Sequence, residues 1–430
     1  MKKRFIVVLL VAVVACSFAF ANGQKEKDSQ VAATQKGGLT MKFWIFLDPN
    51  STEDPRSVVL KDIVDEYNMK NQFGNKVEVE SIHWSKFESQ VIQAAASGTG
   101  PDIINAFSDQ LRLHIGAGTV QPMTDFAIPF IASMPDYIHS AAKLTQGDGE
   151  IYSLPWESRA TVLWYRSDIF PKAPTSWDDL KTMGSAAADK NGLGFAIALG
   201  EGSNGTGLME TFIPWIRSAG GDLLDSNGKA IFNSEAGVKV LEYIKSLIQA
   251  GSMNNTTMSM VYDDLVDGYK SGTIYAGDIG TQRSSTIRTS SLVDKFASAP
   301  IPGMTSSAPA PAYVAGQTLA IGKFAQDPEM AFDFIKYFYT TENQTKWVKA
   351  NILPVRTSVY DDPEIKAMPM YDSMQMWSNY AKTGSIVFFP ADYSELSSKL
   401  AQAVQKVVFK GADAKQQLDE VASWYNSKSH

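Results

Sequence analysis

From residue 40 onward the chain alternates two hydrophobic periods, and that alternation constrains the fold more than any other feature of the sequence. Met41, Phe43, Ile45 and Leu47 are spaced by two, the repeat of a strand with one buried face. Val59, Leu60, Ile63, Val64 and Tyr67 then recur at helical spacing, and Val77 with Val79 restores the period of two. Trp84 precedes Ser85-Lys86-Phe87-Glu88, which has the form of a capping box, and Phe87, Val91, Ala94 and Ala95 line one face of the helix it would open, up to Ser97-Gly98. Asp102 to Phe107 is the next buried strand. Further on, Ser176 and Asp179 cap a helix bearing Trp177, Leu180 and Met183. Val238, Leu241, Ile244 and Ile248 mark a helix that ends at Gly251, and Asp327-Pro328 opens one bearing Phe332, Ile335 and Phe338. Two last helices, Leu396 to Phe409 and Asp413 to Tyr425, flank Gly411. Strands alternating with helices predict an α/β protein of mainly parallel sheets covered by helices.

The start of the chain sets the compartment. Lys2, Lys3 and Arg4 form a positive segment, Phe5 to Ala15 is unbroken apolar chain, and Ala19-Phe20-Ala21 offers small residues at a cleavage site, the pattern of a secretory signal peptide over residues 1–21. The apolar run is too short for a membrane-spanning helix. Val13-Val14-Ala15-Cys16 also resembles a lipobox, which would lipidate Cys16 and anchor the protein, although Phe18 to Ala21 would then be an oddly apolar tether. Cleavage after Ala21 removes Cys16, the only cysteine, and with it any disulfide or thiol chemistry. Residues 22–38 are polar, aperiodic and rich in Gly, Gln and Lys, a flexible tether. A length of 430 residues leaves room for two lobes or slightly more, and no linker or internal repeat divides the remainder.

Charge and motifs exclude several functions. Removing residues 1–21, which hold three cations and no acid, leaves 36 cations against 46 acids, a net charge of −10 with no basic run, so nucleic acid is not an expected partner. Gly200-Glu201-Gly202-Ser203-Asn204-Gly205 spells a dinucleotide fingerprint, but Glu201 would face the pyrophosphate and no Val/Ile-rich strand follows promptly, so a Gly-rich loop offering Glu201 and Asn204 to hydroxyl groups is the better reading. His83, His114, His139 and His430 have no metal-ligand spacing, and no cofactor or metal is expected. Acidic clusters such as Asp178/Asp179 and Asp263/Asp264/Asp267 read as helix caps and solvated faces. In open α/β sheets ligands bind beyond the carboxyl ends of strands, here the loops Phe46 to Asp54, His83 to Ser85, Ser108 to Gln110, Pro155 to Thr161, Gly200 to Gly207 and Asp278 to Arg283.

The segment Val91 to Ile104, reading VIQAAASGTGPDII, resembles the helix and strand signature of family 1 extracellular solute-binding proteins of ABC sugar importers, the maltose-binding-protein-like class. Gly149 to Trp156 followed by Val162 to Arg166, Ala173 to Leu180, and Ala219-Gly220-Gly221 with Phe232-Asn233-Ser234 resemble further segments of that family in the same order, with Arg166 where an Asn is usual. The resemblance implies a two-lobed periplasmic binding protein fold of type II, with discontinuous lobes joined by a three-segment hinge. Carried onto this sequence, the N-terminal lobe is 39–157 and 316–354 and the C-terminal lobe 158–315 and 355–430. The chain would cross near Trp156 to Ala160, Tyr313 to Gln317 and Leu353 to Arg356. The implied function is capture of a carbohydrate by an exported, monomeric, non-enzymatic protein that delivers it to ABC permease subunits.

Sugars pair apolar C–H faces with directional hydroxyls, so their sites combine flat aromatic rings with acidic, amide and Arg side chains. That gives 9 Trp, 16 Tyr and 22 Phe a use beyond the core. Trp84 and Trp156 are the expected stacking rings, whereas Trp164 and Trp177 sit at core positions. The polar candidates are Asp48, Asp109, Glu157, Arg159, Glu201, Asp278, Arg283 and Arg356. Two other readings stay open: a secreted glycosidase, because aromatics and paired acids also build such clefts, and the same fold tuned to a polyamine, metal complex or anion.

Overall fold

The structure, a computed structural model, describes residues 38–200, 206–225, 228–384, 386, 389–390 and 392–428. Residues 1–37, and with them the signal peptide, Cys16 and nearly all of the tether, lie outside the described residues, as does Glu201. Among the described residues, ten strands carry the architecture: β1 (Thr40–Ile45), β2 (Lys76–Ser81), β3 (Ile103–Phe107), β4 (Ser153–Pro155), β5 (Glu157–Arg166), β6 (Ala276–Gly280), β7 (Phe296–Ala299), β8 (Val314–Ala315), β9 (Gln317–Ile321) and β10 (Leu353–Pro354).

They form two sheets. The first has the order β2-β1-β3-β9-β4; in the second, β5 is the hub, paired with β6, β7, β8 and β10. The expectation of mainly parallel sheets holds only for β1, β2 and β3. Strands β4 and β9 are antiparallel neighbours, β9 also runs against β3, and every partner of β5 is antiparallel to it. The reason lies in the path of the chain: β9 enters the first sheet from the second and so runs against the strands already there.

Local chemistry follows the sequence closely. Alternation along β1 buries Met41, Phe43 and Ile45. Asp54 caps the helix Pro55–Lys70 by accepting from the Arg56 N–H, with Pro at its first turn, and Leu60, Ile63, Val64 and Tyr67 face the sheet. Ser176 accepts from the Asp179 N–H to start the helix Trp177–Ala187. Asp327 does the same for Pro328–Phe338. One expected cap fails: Trp84–Lys86 form a single 3₁₀ turn, and the helix runs from Phe87 to Ala96, so Glu88 falls in its first turn instead of reaching back to Ser85. Among the described residues no helix is long and apolar enough to cross a membrane.

Each sheet has its own core. Around the first, Phe43 meets Phe334 and Phe338 edge-on, and Trp156 lies 4.4 Å from Trp347 between ring centroids. Around the second, Trp177 stacks on Tyr243 at 4.5 Å and Trp215 closes the group. Trp156 alone separates β4 from β5, so the chain steps from the first sheet to the second there. Gly316 alone separates β8 from β9, and the chain steps back. A Cβ on Gly316 would sit 2.4 Å from the Glu157 carbonyl oxygen, so two passing backbones exclude any side chain at this position. The third passage is β10, which pairs with Glu157 and Ser158 after the helices Pro328–Phe338 and Thr341–Lys349.

Candidate functional site

A cavity of about 580 Å³ opens where these passages meet the carboxyl ends of β1, β2 and β3. Phe46 follows β1, Trp84 follows β2, Phe107 ends β3, and Asp109 and Gln110 follow it. Placement at the ends of parallel strands exposes these side chains to a ligand, because the strands stop and the chain turns toward the next helix. Ile92 and Leu113 complete an apolar flank. Phe46 and Phe107 tilt against each other at 5.7 Å, and Trp84 lies 5.6 Å from the ring of His83.

The facing side is polar. Glu157 and Arg159 come from β5, Glu210 from the helix Thr206–Ser218, Tyr262 from the helix Tyr262–Ser271, and Gln282 and Arg283 from the turn after β6. Arg159 is central: its Nη2 lies 3.7 Å from Asp109 Oδ2 and 4.0 Å from Glu210 Oε1, ion-pair distances too long for hydrogen bonds, and its buried Nε has no partner. The guanidinium is therefore held by charge and leaves donors for a ligand. Tyr313 donates to Asp109 Oδ2 at 3.2 Å, and Thr161 donates to Glu210 Oε2 at 2.9 Å. Burial pushes the Glu157 carboxyl up to about 7 against the pull of Arg159 and Arg56. Burial also pushes Glu88 up to about 7, aided by the charge of Asp109, and raises Asp109 and Glu210 despite Arg159.

The cavity thus gathers Trp84, Asp109, Glu157, Arg159 and Arg283 of the expected residues. The others fall elsewhere. Trp156, expected to stack on ligand, is 1% exposed; its face is spent on Trp347 and Phe338 in the first core. It acts on the cavity only from behind. Its Nε1–H donates to Asn105 Oδ1 at 2.9 Å, and Asn105 Nδ2 donates to Gln317 Oε1 at 2.7 Å, which turns the Gln317 amide so that its N–H groups remain available. Asp48 is exposed and accepts from Asn50 in its own turn. Asp278 is buried within β6 opposite Leu163, an interior position where burial pushes its carboxyl up to about 7. Arg356 is tied to Asp136 at 2.7 Å and to the Tyr339 carbonyl, bracing the third passage. Burial opposes ionisation of Asp136, yet the bonds from Arg356 and Ser358 hold it down to about 2.

Sequence reasoning missed Glu88, Glu210, Tyr262 and Gln317. In the sequence Glu88 has the place of a capping-box acid, which hides its position on the cavity wall. Glu210 did carry a signal: it is an acid inside the apolar run Leu208 to Ile216, and such a charge is buried only with a partner or a purpose. Tyr262 and Gln317 resemble ordinary element starts and had none.

Residues 62–372 match the family model described as bacterial extracellular solute-binding protein. A probable ABC transporter-binding protein of Deinococcus radiodurans is 26% identical over 279 residues, which are 61% of this chain and 65% of that protein, so the match spans just under two thirds of that relative's length. The arabinooligosaccharide-binding protein of Bacillus subtilis is 23% identical, over 90% of this chain and 87% of its own. Among solved structures, the GacH receptor of Streptomyces glaucescens, studied unliganded and with acarbose, superimposes with a TM-score of 0.76 at 17% identity, covering 91% of this chain and 98% of that one, and so shares the two-lobed α/β fold.

Proposed function

The chain belongs to the bacterial extracellular solute-binding protein family, and we propose that it is the extracytoplasmic substrate-binding component of an ABC transporter, taking a mono- or oligosaccharide into the cavity between its two sheets. The observation that carries this is the two-sided lining: Phe46, Trp84 and Phe107 on one side, and Arg159, Glu157, Glu210 and Tyr262 on the other. Aromatic rings accept the C–H faces of a sugar, and preset charged groups accept and donate to its hydroxyls. A volume of about 580 Å³ suits a small saccharide. The relatives named for arabinooligosaccharide and for an ABC transporter favour the same reading.

In this reading the lobes are 39–157 with 316–354 and 158–315 with 355–430, and they close over the ligand by bending at the three passages. A ligand touching both lobes selects the closed state through contacts the open state lacks. The first 21 residues direct export, and the product is either a soluble monomer in the periplasm or is held at a membrane through Cys16. Permease subunits receive the ligand, and no covalent bond is made or broken.

The test is titration of purified protein with a panel of mono- and oligosaccharides, read by tryptophan fluorescence and by X-ray scattering. Quenching with compaction for at least one sugar is expected. A flat response across the panel, or turnover of a glycan that a Glu210→Gln variant loses, would sink the proposal.

A further inference from the structure

The side-chain amide of Gln317 meets the cavity with a fixed polarity, set by two buried side chains behind it. An indole N–H donates and cannot accept. Trp156 Nε1 lies 2.9 Å from Asn105 Oδ1, so the Asn105 amide must turn its oxygen to the ring; turned over, it would set one donor against another. Asn105 Nδ2 is then left to donate, and it does so to Gln317 Oε1 at 2.7 Å. Asn105 is fully buried and Gln317 nearly so, which keeps bulk water from replacing these bonds.

The head of this relay is held firmly. The Trp156 ring packs against Trp347 and Phe338, its backbone N–H donates to the Gln317 carbonyl at 3.0 Å, and its carbonyl accepts from Gln344 Nε2 at 2.9 Å. Gln344 Oε1 in turn accepts from the Val355 N–H at 3.0 Å, next to the third passage. At Gln317 the other polar groups all have partners: the backbone N–H goes to the Glu157 carboxylate, the carbonyl to Trp156 and Oε1 to Asn105. What this lining residue turns to the cavity is therefore Nε2 with its protons. Asn105 is on β3 and Gln317 starts β9, neighbours in the first sheet, so the relay does not depend on the angle between the two sheets.

We propose that Gln317 is a specificity-determining hydrogen-bond donor to the ligand, and that Asn105, which is buried behind it, is the positioning residue that keeps it a donor. This rests on the saccharide reading and adds a requirement to it: the sugar must bring a lone pair to Gln317, on a hydroxyl, ring or glycosidic oxygen. An unrestrained glutamine offers either end of its amide to a hydroxyl. Gln317 cannot, because turning over would place its N–H groups against Asn105 Nδ2 and leave a buried donor unpaired. The donor is thus oriented before ligand arrives, and binding does not have to order it.

The experiment is calorimetric titration with glucose, galactose, arabinose, maltose, cellobiose and arabinobiose, followed by a double-mutant cycle on the tightest binder. Gln317→Met keeps the length of the side chain and removes the donor, while Asn105→Leu keeps the volume and removes the relay. Gln317→Met is expected to weaken binding by about fivefold or more, and Asn105→Leu by about threefold or more. In the Gln317→Met background Asn105→Leu should have almost no further effect, because it acts through Gln317. Affinity within about twofold of the unaltered protein in a natively folded Gln317→Met variant overturns the donor. Equal losses from Asn105→Leu in both backgrounds overturn the positioning role, and in either case the saccharide reading stands. A second measurement needs no variant: exchange of the Gln317 side-chain amide protons, identified by their proximity to Asn105 in NMR spectra of ¹⁵N-glutamine-labelled protein, should slow when the sugar saturates the site. An unchanged exchange rate overturns the proposal even if Asn105→Leu does not fold. No binding of any of these sugars to the unaltered protein overturns the saccharide reading and this proposal with it.

Discussion

The two halves of this protein share an α/β plan and a cavity, yet they equip it differently. The half built on β1, β2 and β3 contributes rings and aliphatic groups at the ends of parallel strands, Phe46, Trp84 and Phe107 with Ile92 and Leu113. The half built on β5 and β6 contributes Arg159, Glu210, Tyr262, Gln282 and Arg283, from a strand, two helix starts and a turn. The rings come mainly from one side, whereas charge comes from both, Glu88 and Asp109 from the first half and Arg159, Glu210 and Arg283 from the second. The difference teaches that a parallel βαβ arrangement presents loop residues freely, whereas an antiparallel sheet wrapped by helices places its functional groups within the wall, where burial dominates their chemistry.

The sharpest break in that comparison is a residue of the first half that does not behave as its neighbours do. Trp156→Ala removes a fully buried indole from the Trp347 and Phe338 cluster and is expected to destabilise the protein by about 3–5 kcal/mol. It also cuts the bond to Asn105 that orients Gln317. Thermal or urea unfolding measures the loss. A stability change below about 1 kcal/mol would mean that the ring is not part of the first core.

Next in size is the charge of the second half. Arg159→Ala leaves Asp109 and Glu210 buried without their shared cation, so saccharide affinity should fall by about 2–4 kcal/mol, roughly 30- to 1000-fold. Arg159→Lys should recover only part, since an ammonium keeps the charge but lacks the guanidinium's further donors, the unpartnered Nε–H among them. Full affinity in Arg159→Ala by calorimetry would transfer the binding energy to the aromatic side.

The halves also differ in how they answer pH. Burial holds His114 and His139, in the first half, down to about 4. A folded pKa below the unfolded value near 6.5 means that unfolding takes up protons, so their contribution is present above about pH 6.5 and is lost as pH falls toward 4. Asp278, in the second half, has the opposite sign. Its carboxyl is raised from 3.8 to about 7, so the stability it contributes is present below pH 4 and is lost as pH rises through 7. Each effect is at most on the order of 3–4 kcal/mol. Hydrogen exchange followed from pH 4.5 to 8 should show β1 and β3 losing protection first on the acid side and β5 and β6 first on the alkaline side. An Asp278→Asn variant should flatten the alkaline limb, and parallel loss in both sheets at both limits would remove the contrast.

Legibility in the sequence followed the same division. Loops after β1, β2 and β3 could be located from periodicity alone, and three of the loops so identified carry Phe46, Trp84 and Asp109 to the cavity. Glu157 and Arg159 were expected because the family resemblance puts the first crossing there, and Arg283 because its segment resembles a loop of that family. Glu210 and Tyr262 were not, since a residue in a helix's first turns reaches the cavity only through tertiary packing that no local period encodes. Sheet direction was misjudged for a related reason: β9 runs antiparallel because of where the chain comes from, a long-range fact. Trp84 and Trp156 looked alike as aromatics next to predicted loops, and only the one-residue step between β4 and β5 sends the second of them inward.

That pair supplies the smallest test and the most discriminating one. Trp84→Ala removes a half-buried ring whose flank faces the cavity and which makes no hydrogen bond that the fold depends on, so stability should change by less than about 0.5 kcal/mol. Affinity should nonetheless fall by about 1 kcal/mol, roughly fivefold, because a stacked ring contributes that much beyond its area. Trp84→Phe keeps an aromatic face and should restore most of it. Trp156→Ala reverses the pattern, with a large loss of stability, so the ratio of affinity change to stability change separates a ring that meets ligand from one that supports it. Were Trp84→Ala to lower stability as Trp156→Ala does, the aromatic side of the cavity would be core, and recognition would rest on the charged side alone.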